Sequence, residues 1–454
     1  MAGRVRLQQD RLSQGRLGIW STAALVVGHT IAVGIFLTPA QLIGSLASPA
    51  WTLGLWLACG ALVFAGALTF GELASRYPES GGLYVYLREG FGPRAAFLYG
   101  WQALLIMDPG ITAAVSVGLS QYVAVLWPAA AGHQRAVALA AIWILALANM
   151  AGLRLSTRVL NLLTAFKLLA LASIVGAAFL AGSGSLRHFV PFASRRPGAP
   201  PIEEALGLGL VAVFFSFGGF WEASRVAGEV RDPERTLPRA LALGVAAVTL
   251  AYAAVTAALI YLVPIGEAGT STELARRAGE AMLGPAGPTA LSAVVAVSVA
   301  GSAMALLFMA PRLYLAMGRD GLFPPALARL TRRTAAPARA TALLASIASL
   351  LVLSGSFDQI VAFFLCTALA FITLAASALF VARRRGAPGR FLAPGYPATP
   401  ILFVLFLGAV IVSITLARPR QVLAGFVLVL LGVPVYRFLS SRGILRGKTD
   451  GGPR

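Results

Sequence analysis

The sequence predicts an all-α polytopic membrane protein with twelve transmembrane helices, and three observations carry that expectation. Of 454 residues, 58% are hydrophobic and only 12% are charged, with a mean hydropathy of +0.80. An average globular domain is about 25% charged, so a soluble fold would have too thin a polar shell to cover this apolar surface. The apolar residues gather in blocks of the length a bilayer demands, roughly 20 residues per helix. The basic residues are divided unequally between alternate connecting segments.

Twelve blocks are read as spans: 18–45, 50–75, 93–127, 134–151, 156–182, 202–230, 237–263, 286–318, 338–354, 357–382, 398–416 and 420–438. The first exceeds the roughly 15-residue apolar core of a secretory signal and is interrupted by Gly28, His29 and Thr30, so it reads as a span that is kept. The third and eighth exceed the minimum length, as strongly tilted helices would. The tails 1–17 and 439–454 are polar, and the loop 183–201 is rich in Pro, Gly and Ser. The loop 264–285 is expected to carry a short surface helix around Glu273 to Glu280. None of these reaches the roughly 50 residues of a separate domain, which puts function inside the bundle.

The formal charge of +20 invites a nucleic-acid reading, but its distribution argues against one. With the N-terminus inside, most of the 37 Lys and Arg fall on cytoplasmic segments, in clusters such as Arg4, Arg6, Arg11 and Arg16, then Arg329, Arg332 and Arg333, then Arg383, Arg384 and Arg385. This is the positive-inside pattern, and it predicts cytoplasmic termini. The expected setting is a bacterial inner (plasma) membrane, with the lipid bilayer as the partner of these charges. No aromatic-rich basic module accompanies them, so no nucleic-acid partner is expected. Cys59 and Cys366 lie far apart in apolar runs, which excludes a disulfide framework or cysteine–zinc cluster and leaves packing as their role. With three histidines (His29, His133, His188), no His-Glu-x-x-His and no Gly-x-Ser-x-Gly, the chain offers no catalytic constellation, metal site or cofactor motif. A channel's filter or charged ring is likewise not evident.

Two spans are internally interrupted. The first contains Gly28-His29-Thr30-Ile31-Ala32-Val33-Gly34-Ile35-Phe36, and the sixth contains Phe215-Ser216-Phe217-Gly218-Gly219-Phe220-Trp221. Glycine costs about 1 kcal/mol relative to alanine inside a helix. Within hydrocarbon, unwound backbone survives only where protein, solute or water satisfies its polar groups. Close helix packing would explain one such break; two at matching positions of the two halves point to a transporter's solute site. Ile31, Ala32, Val33, Gly34 and Ile35 are therefore expected to face Phe215, Ser216, Phe217, Gly218 and Gly219 across a midplane cavity. A half-helix N-terminus there offers N–H groups to a carboxylate, and a half-helix C-terminus offers carbonyls to an ammonium. An α-amino acid carries both groups. The apolar walls lack a fixed arginine, which favours a neutral amino acid.

Charged positions inside spans carry a cost, roughly 2.5–3.5 kcal/mol for a lysine at mid-depth. Lys167 lies too deep in its span to reach water by snorkelling, which argues for a functional role. Asp108 precedes Pro109-Gly110 in the third span. It is a protonatable site, a determinant of substrate charge, or a neutral carboxylate supporting the Pro109 kink; if it lines the cavity ionised, a cationic amino acid or polyamine becomes the preferred solute. His29 could titrate near neutral pH or simply pack. Glu72, Arg76, Glu79, Arg88, Glu89, Glu229, Arg231 and Arg235 read as a solvated face. Phe220 and Trp221 read as packing toward lipid.

The segments Phe70-Gly71-Glu72-Leu73, Tyr77 to Gly82 and Tyr84 to Glu89 with Phe91-Gly92-Pro93 resemble the signature after the second span of amino acid–polyamine–organocation (APC) superfamily permeases. So do Gly228 to Arg235 with Leu237-Pro238-Arg239-Ala240, Leu163 to Ala170, Gly301-Ser302, Pro311-Arg312, and Arg319 to Pro324. The similarity covers spans 1 to 10 and is nearest to bacterial members like the L-type amino-acid transporters. It implies a five-plus-five inverted repeat (LeuT-like), 18–182 and 202–382, with helices 1 and 6 broken, spans 3, 8 and 10 as scaffold, and two extra helices at 398–438. It implies a sodium-independent permease using proton coupling or exchange, in which Lys167 stands in for a coupling sodium. That ammonium would contact carbonyls near the first break and hydroxyls such as Ser298 or Ser302. Phe215 resembles the outer-gate aromatic, and Glu229 with Arg235 resembles a cytoplasmic gate.

Three positions depart from the family's pattern. Its first break usually reads Gly-Ser-Gly-Ile-Phe, whereas Val33 here narrows the cleft and removes a hydroxyl. His29 stands where small or polar residues are usual. Asp108 stands where L-type relatives often carry arginine. A receptor or sensor on the same fold is the rival reading, since fold does not fix function.

Overall fold

The computed structural model describes residues 17–445, apart from Val33, Ser80, Ala181, Ala268, Gly269, Ala328, 332–335, Ser356, Gly443 and Ile444. Most of the two tails expected at 1–17 and 439–454 lies outside the described residues. Within them the chain is helical, and the sole β feature is an isolated bridge between Leu17 and Val230.

The first block is two helices, α1 (Ile19–Thr30) and α2 (Gly34–Leu46), bent by 53°. Then come α3 (Pro49–Arg76), a short α4 (Leu83–Phe91), and a third span built from α5 (Pro93–Gln102), a π-helical turn (Ala103–Met107) and α6 (Asp108–Leu126). Next are α7 (Gln134–Met150), α8 (Leu153–Leu180) and α9 (Ile202–Phe217), the last followed by a 3₁₀ helix (Phe220–Glu229). The remainder is α10 (Pro233–Leu262), α11 (Ser271–Leu283), α12 (Gly287–Arg319), α13 (Ala338–Ser354), α14 (Phe357–Arg384), α15 (Ala398–Ala417) and α16 (Pro419–Ser441).

Among the described residues, ten helical segments are long and apolar enough to cross a membrane, and the α1–α2 pair makes an eleventh. Helix α13 is apolar but only 17 residues long. The chain is an integral membrane protein. Proline explains where several spans begin: α3, α5, α10 and α16 each start with one, where its fixed φ suits the helix and its missing N–H would have no partner anyway. The expected surface helix is α11. Thr270 caps it by accepting the Glu273 N–H at 3.3 Å, and Leu274, Ala275 and Ala278 bury its inner face.

Small residues set the helix spacing, as in other membrane bundles. A Cβ on Gly60 would meet the Thr249 side chain, and one on Gly244 would meet Val26, so α10 lies close against both α3 and α1.

The solvated face expected at one end of the bundle is half corrected. Arg88 does form an accessible network with Glu79 (2.8 Å), Glu89 (3.0 Å) and Asp320 (2.9 Å). Glu72, by contrast, is fully buried. Its carboxylate accepts from Arg76 (2.5 Å), from both Arg383 Nε (2.8 Å) and Nη2 (2.6 Å), and from the Ala393 N–H (2.7 Å). The burial comes from the α14–α15 connection folding back onto α3, where Ser75 Oγ also accepts the Arg390 and Phe391 N–H groups. Removing one partner of a buried ion pair typically costs about 3–5 kcal/mol. Glu72→Ala is therefore expected to lower the melting temperature of the detergent-solubilised protein well below that of Glu79→Ala, whose pair is exposed.

Candidate functional site

The two broken spans cross in pairs: α2 packs along α9, and α1 packs along the 3₁₀ helix. Sequence dictates the contact points. At the second break Gly219 has φ +102, a left-handed value that strongly favours glycine, and its position lies near the His29 carbonyl of α1. At the first, a Cβ on Gly34 would sit 2.7 Å from Ser216 Cα, so only glycine lets α2 begin this close to α9. Thr38 Oγ1 and Ser216 Oγ, 2.8 Å apart, fasten the two helices together. Tyr252 of α10 spans both breaks, its hydroxyl 2.9 Å from the Thr30 carbonyl and 2.8 Å from the Ser216 carbonyl.

The predicted lining residues are thus brought together, though unevenly. Gly34 and Ser216 are in direct contact. Phe217 is buried between Trp56 and Tyr252, and Ile35 is fully buried. Ala32, Phe215, Gly218 and Gly219 are half-buried, with Phe215 against Phe364 of α14. Val33 lies outside the described residues. Phe220 and Trp221 do not face lipid: both are buried, in an aromatic cluster with Phe70, Phe214 and Phe403.

Lys167 reaches the first break from α8. Gly28 of α1 and Gly301 of α12 make this possible, since Cβ atoms there would meet Thr164 and Leu163. The Lys167 Nζ lies 3.2 Å from the Gly28 carbonyl, 2.6 Å from the Ile31 carbonyl and 2.8 Å from Ser302 Oγ. Its side chain is 1% exposed. An ammonium has three N–H donors, and all three have an acceptor here. Ser302 stays free to accept because its own hydrogen can go to the Ser298 carbonyl at 3.2 Å. The Ser298 hydroxyl is buried and, among the described residues, has no partner.

Asp108 begins α6, directly after the π-helical turn, which accommodates Pro109 and its missing N–H. It is 5% exposed and its Oδ2 lies 2.5 Å from Tyr314 Oη of α12. Beside it stands a pair the sequence reading did not assemble. Arg225 Nε is 2.6 Å from Glu222 Oε2, and Arg225 Nη2 is 3.2 Å from Tyr99 Oη. The 3₁₀ form of this segment accounts for the pair, because residues i and i+3 eclipse in that helix. Two ionisable residues three apart in an apolar span were the available signal. Of the gate expected between Glu229 and Arg235, the Glu229 side chain lies outside the described residues, and Arg235 approaches Asp232 at 3.9 Å. Half-buried His29 has a buried Nε2 that finds no partner among the described residues.

Comparison with known proteins gives the family. Residues 17–435 match the family model described as amino acid permease. The chain is 30% identical to the rabbit (Oryctolagus cuniculus) b(0,+)-type amino acid transporter 1 over 356 residues, covering 77% of this chain and 72% of the relative. It is 27% identical to the serine/threonine exchanger SteT of Bacillus subtilis over 448 residues, 96% of this chain and 99% of the relative. It is 28% identical to the mouse (Mus musculus) Asc-type amino acid transporter 1, over 92% and 80% of the two chains. These relatives are transporters and not enzymes. The chain belongs to the amino acid permease family.

Proposed function

We propose that this protein is a secondary transporter that moves amino acids, neutral ones foremost, by alternating access and without sodium. In this reading it has twelve spans, the eleven above and α13, arranged as a five-plus-five inverted repeat with two further helices. The host membrane is a bacterial inner membrane, with both termini cytoplasmic. The breaks in spans 1 and 6 bind the solute, and α6, α12 and α14 supply the scaffold.

The observation that carries the reading is the Lys167 ammonium on the Gly28 and Ile31 carbonyls and Ser302. In this reading the Lys167 ammonium stands at the unwound backbone in place of a coupling cation. Two like charges in so small a site would repel by several kcal/mol even at an effective dielectric near 20. The carbonyls of the α1 end are then taken by Lys167 and Tyr252, while the first N–H groups of α2 have no carbonyl within their own helix and remain for a solute carboxylate. The alignment with a serine/threonine exchanger over nearly the whole chain supports a small neutral solute. Whether protons or a second amino acid drive the cycle depends on whether a group in the bundle exchanges a proton.

Uptake of radiolabelled L-serine, L-alanine, L-leucine and L-lysine into proteoliposomes, in sodium and in choline buffer, tests this. The expected result is uptake of a neutral amino acid, equal in both buffers. Competition by lysine, arginine or a polyamine stronger than by any neutral amino acid would overturn the assignment of solute.

A further inference from the structure

Beside the breaks, the third span, the 3₁₀ helix and α12 bury a polar cluster whose hydrogens can be counted. Tyr314 Oη lies 2.5 Å from Asp108 Oδ2 and 3.3 Å from the Ala103 carbonyl oxygen. Tyr314 is fully buried. A phenol has one hydrogen. With Asp108 ionised, that hydrogen serves one oxygen and the other contact is left unmade. With a proton on Asp108 Oδ2, both are made: the acid O–H donates to Tyr314 Oη, and the Tyr314 O–H donates to the Ala103 carbonyl. The π-helical turn supplies this arrangement, since the Asp108 N–H also bonds the Ala103 carbonyl and holds acid and acceptor within one turn.

The charges agree with the hydrogens. The nearby cation, Arg225, is held by Glu222 at 2.6 Å, and Asp108 has no ion-pair partner among the described residues. A buried carboxylate without a cation is costly, and a proton removes that cost. The groups facing the cluster are Tyr99 from α5, Tyr314 from α12, and Tyr86 from α4, beside Ser224 of the 3₁₀ helix. Phe371 of α14 lies against Tyr99. Lys167, Arg225 and Arg312 are the charged groups around His29 of α1. Of these, His29 is the one that ordinarily titrates near neutral pH.

We infer that Asp108 is a proton-binding site, distinct from Lys167, protonated in this arrangement through the chain from its carboxyl to Tyr314 to the Ala103 carbonyl. On release, the Asp108 O–H bond breaks and the proton passes to water. The new carboxylate then shares Arg225 with Glu222, because a guanidinium has five N–H donors and can bridge two carboxylates. Rebinding reverses each step, and Arg225 keeps its charge throughout. Because Glu222 and Arg225 ride on the segment after the second break, movement of that break would open or close the proton's path. The use of the proton in coupling rests on the transport reading above; the binding site itself does not.

Infrared difference spectroscopy of the full-length protein in lipid vesicles, stepped from acid to alkaline pH, reads the carboxyl directly. The expected signal is a deuterium-sensitive protonated-carboxyl band that is lost in Asp108→Asn and kept in Glu222→Gln and His29→Gln. In Tyr314→Phe the band should persist but move to higher frequency, as a carboxyl that has lost its hydrogen-bond partner. A band absent from the wild type, unmoved in Tyr314→Phe, or lost in Glu222→Gln or His29→Gln in place of Asp108→Asn would overturn the inference. In the same vesicles, the ratio of pH-gradient-driven to exchange uptake of radiolabelled L-serine should fall by about tenfold in Asp108→Asn, within the usual range of a coupling free energy. An unchanged ratio would overturn the role in coupling. An intact band in a protein that shows no exchange uptake of the amino acids tested would leave the proton site standing and count against the transport reading alone.

Discussion

Lys167→Ala is expected to abolish amino-acid transport while the protein still inserts in the membrane. The substitution removes the donor to the Gly28 and Ile31 carbonyls and to Ser302. Each buried group left without a partner costs about 1–3 kcal/mol. That cost falls at the unwound end of α1, on the Gly28 and Ile31 carbonyls. Tyr252 still holds the Thr30 carbonyl, so the end of α1 should loosen without the bundle unfolding. Lys167→Arg is expected to fail too, because a planar guanidinium cannot converge three donors on one small site. Uptake of radiolabelled solute by vesicles carrying equal amounts of each variant checks both. Full activity in Lys167→Ala, or wild-type uptake that climbs steeply with sodium at fixed pH and voltage, would refute the assignment.

The second large effect is expected at Gly34. A Cβ there would stand 2.5 Å from Ser216 Oγ and 2.7 Å from Ser216 Cα. Ser216 Cα is backbone and cannot swing aside, so Gly34→Ala must push α2 away from α9, and Gly34→Leu must push it further. Forced overpacking of this kind costs typically about 1–3 kcal/mol. The shift would separate Thr38 from Ser216 and tilt the first N–H groups of α2, on which a solute carboxylate would rest. Binding should fall by at least about tenfold in Gly34→Ala, a loss of about 1.4 kcal/mol, and be undetectable in Gly34→Leu. Gly44→Ala, on the same helix in open space, is the control and should bind as the wild type does. Wild-type affinity in Gly34→Leu would mean that the two breaks do not form the binding site.

Much of the fold was legible in the sequence because hydropathy reports directly on membrane depth. The observed ends of α7, α12 and α13 fall within a residue or so of the blocks expected at 134–151, 286–318 and 338–354. The two breaks were legible because glycine interrupts apolar runs at matching places. That Lys167 would meet carbonyls of the first break came from its depth together with the family resemblance, and of the two serines suggested the structure uses Ser302. What escaped were contacts made between distant parts of the chain. Glu72 looked solvated because its local partner, Arg76, is an ordinary i,i+4 neighbour; Arg383, which helps bury it, is 311 residues away. Tyr252 was not singled out, because only the fold brings both breaks to its hydroxyl. Glu222 and Arg225 were missed for a local reason. The sixth span was expected to break at Gly218-Gly219, but nothing in 202–230 indicated that the part after the break would wind as a 3₁₀ helix and stack the two charges.

The most direct test of the central claim is solute counterflow in sodium-free buffer. Vesicles containing the purified protein are loaded with unlabelled L-serine and diluted into a trace of radiolabelled L-serine, with Lys167→Ala vesicles and protein-free vesicles alongside. A transporter of this design should accumulate label transiently above its equilibrium level, while both controls do not. Saturable L-serine binding to the purified protein without any transient accumulation would contradict transport and identify a sensor built on a permease fold.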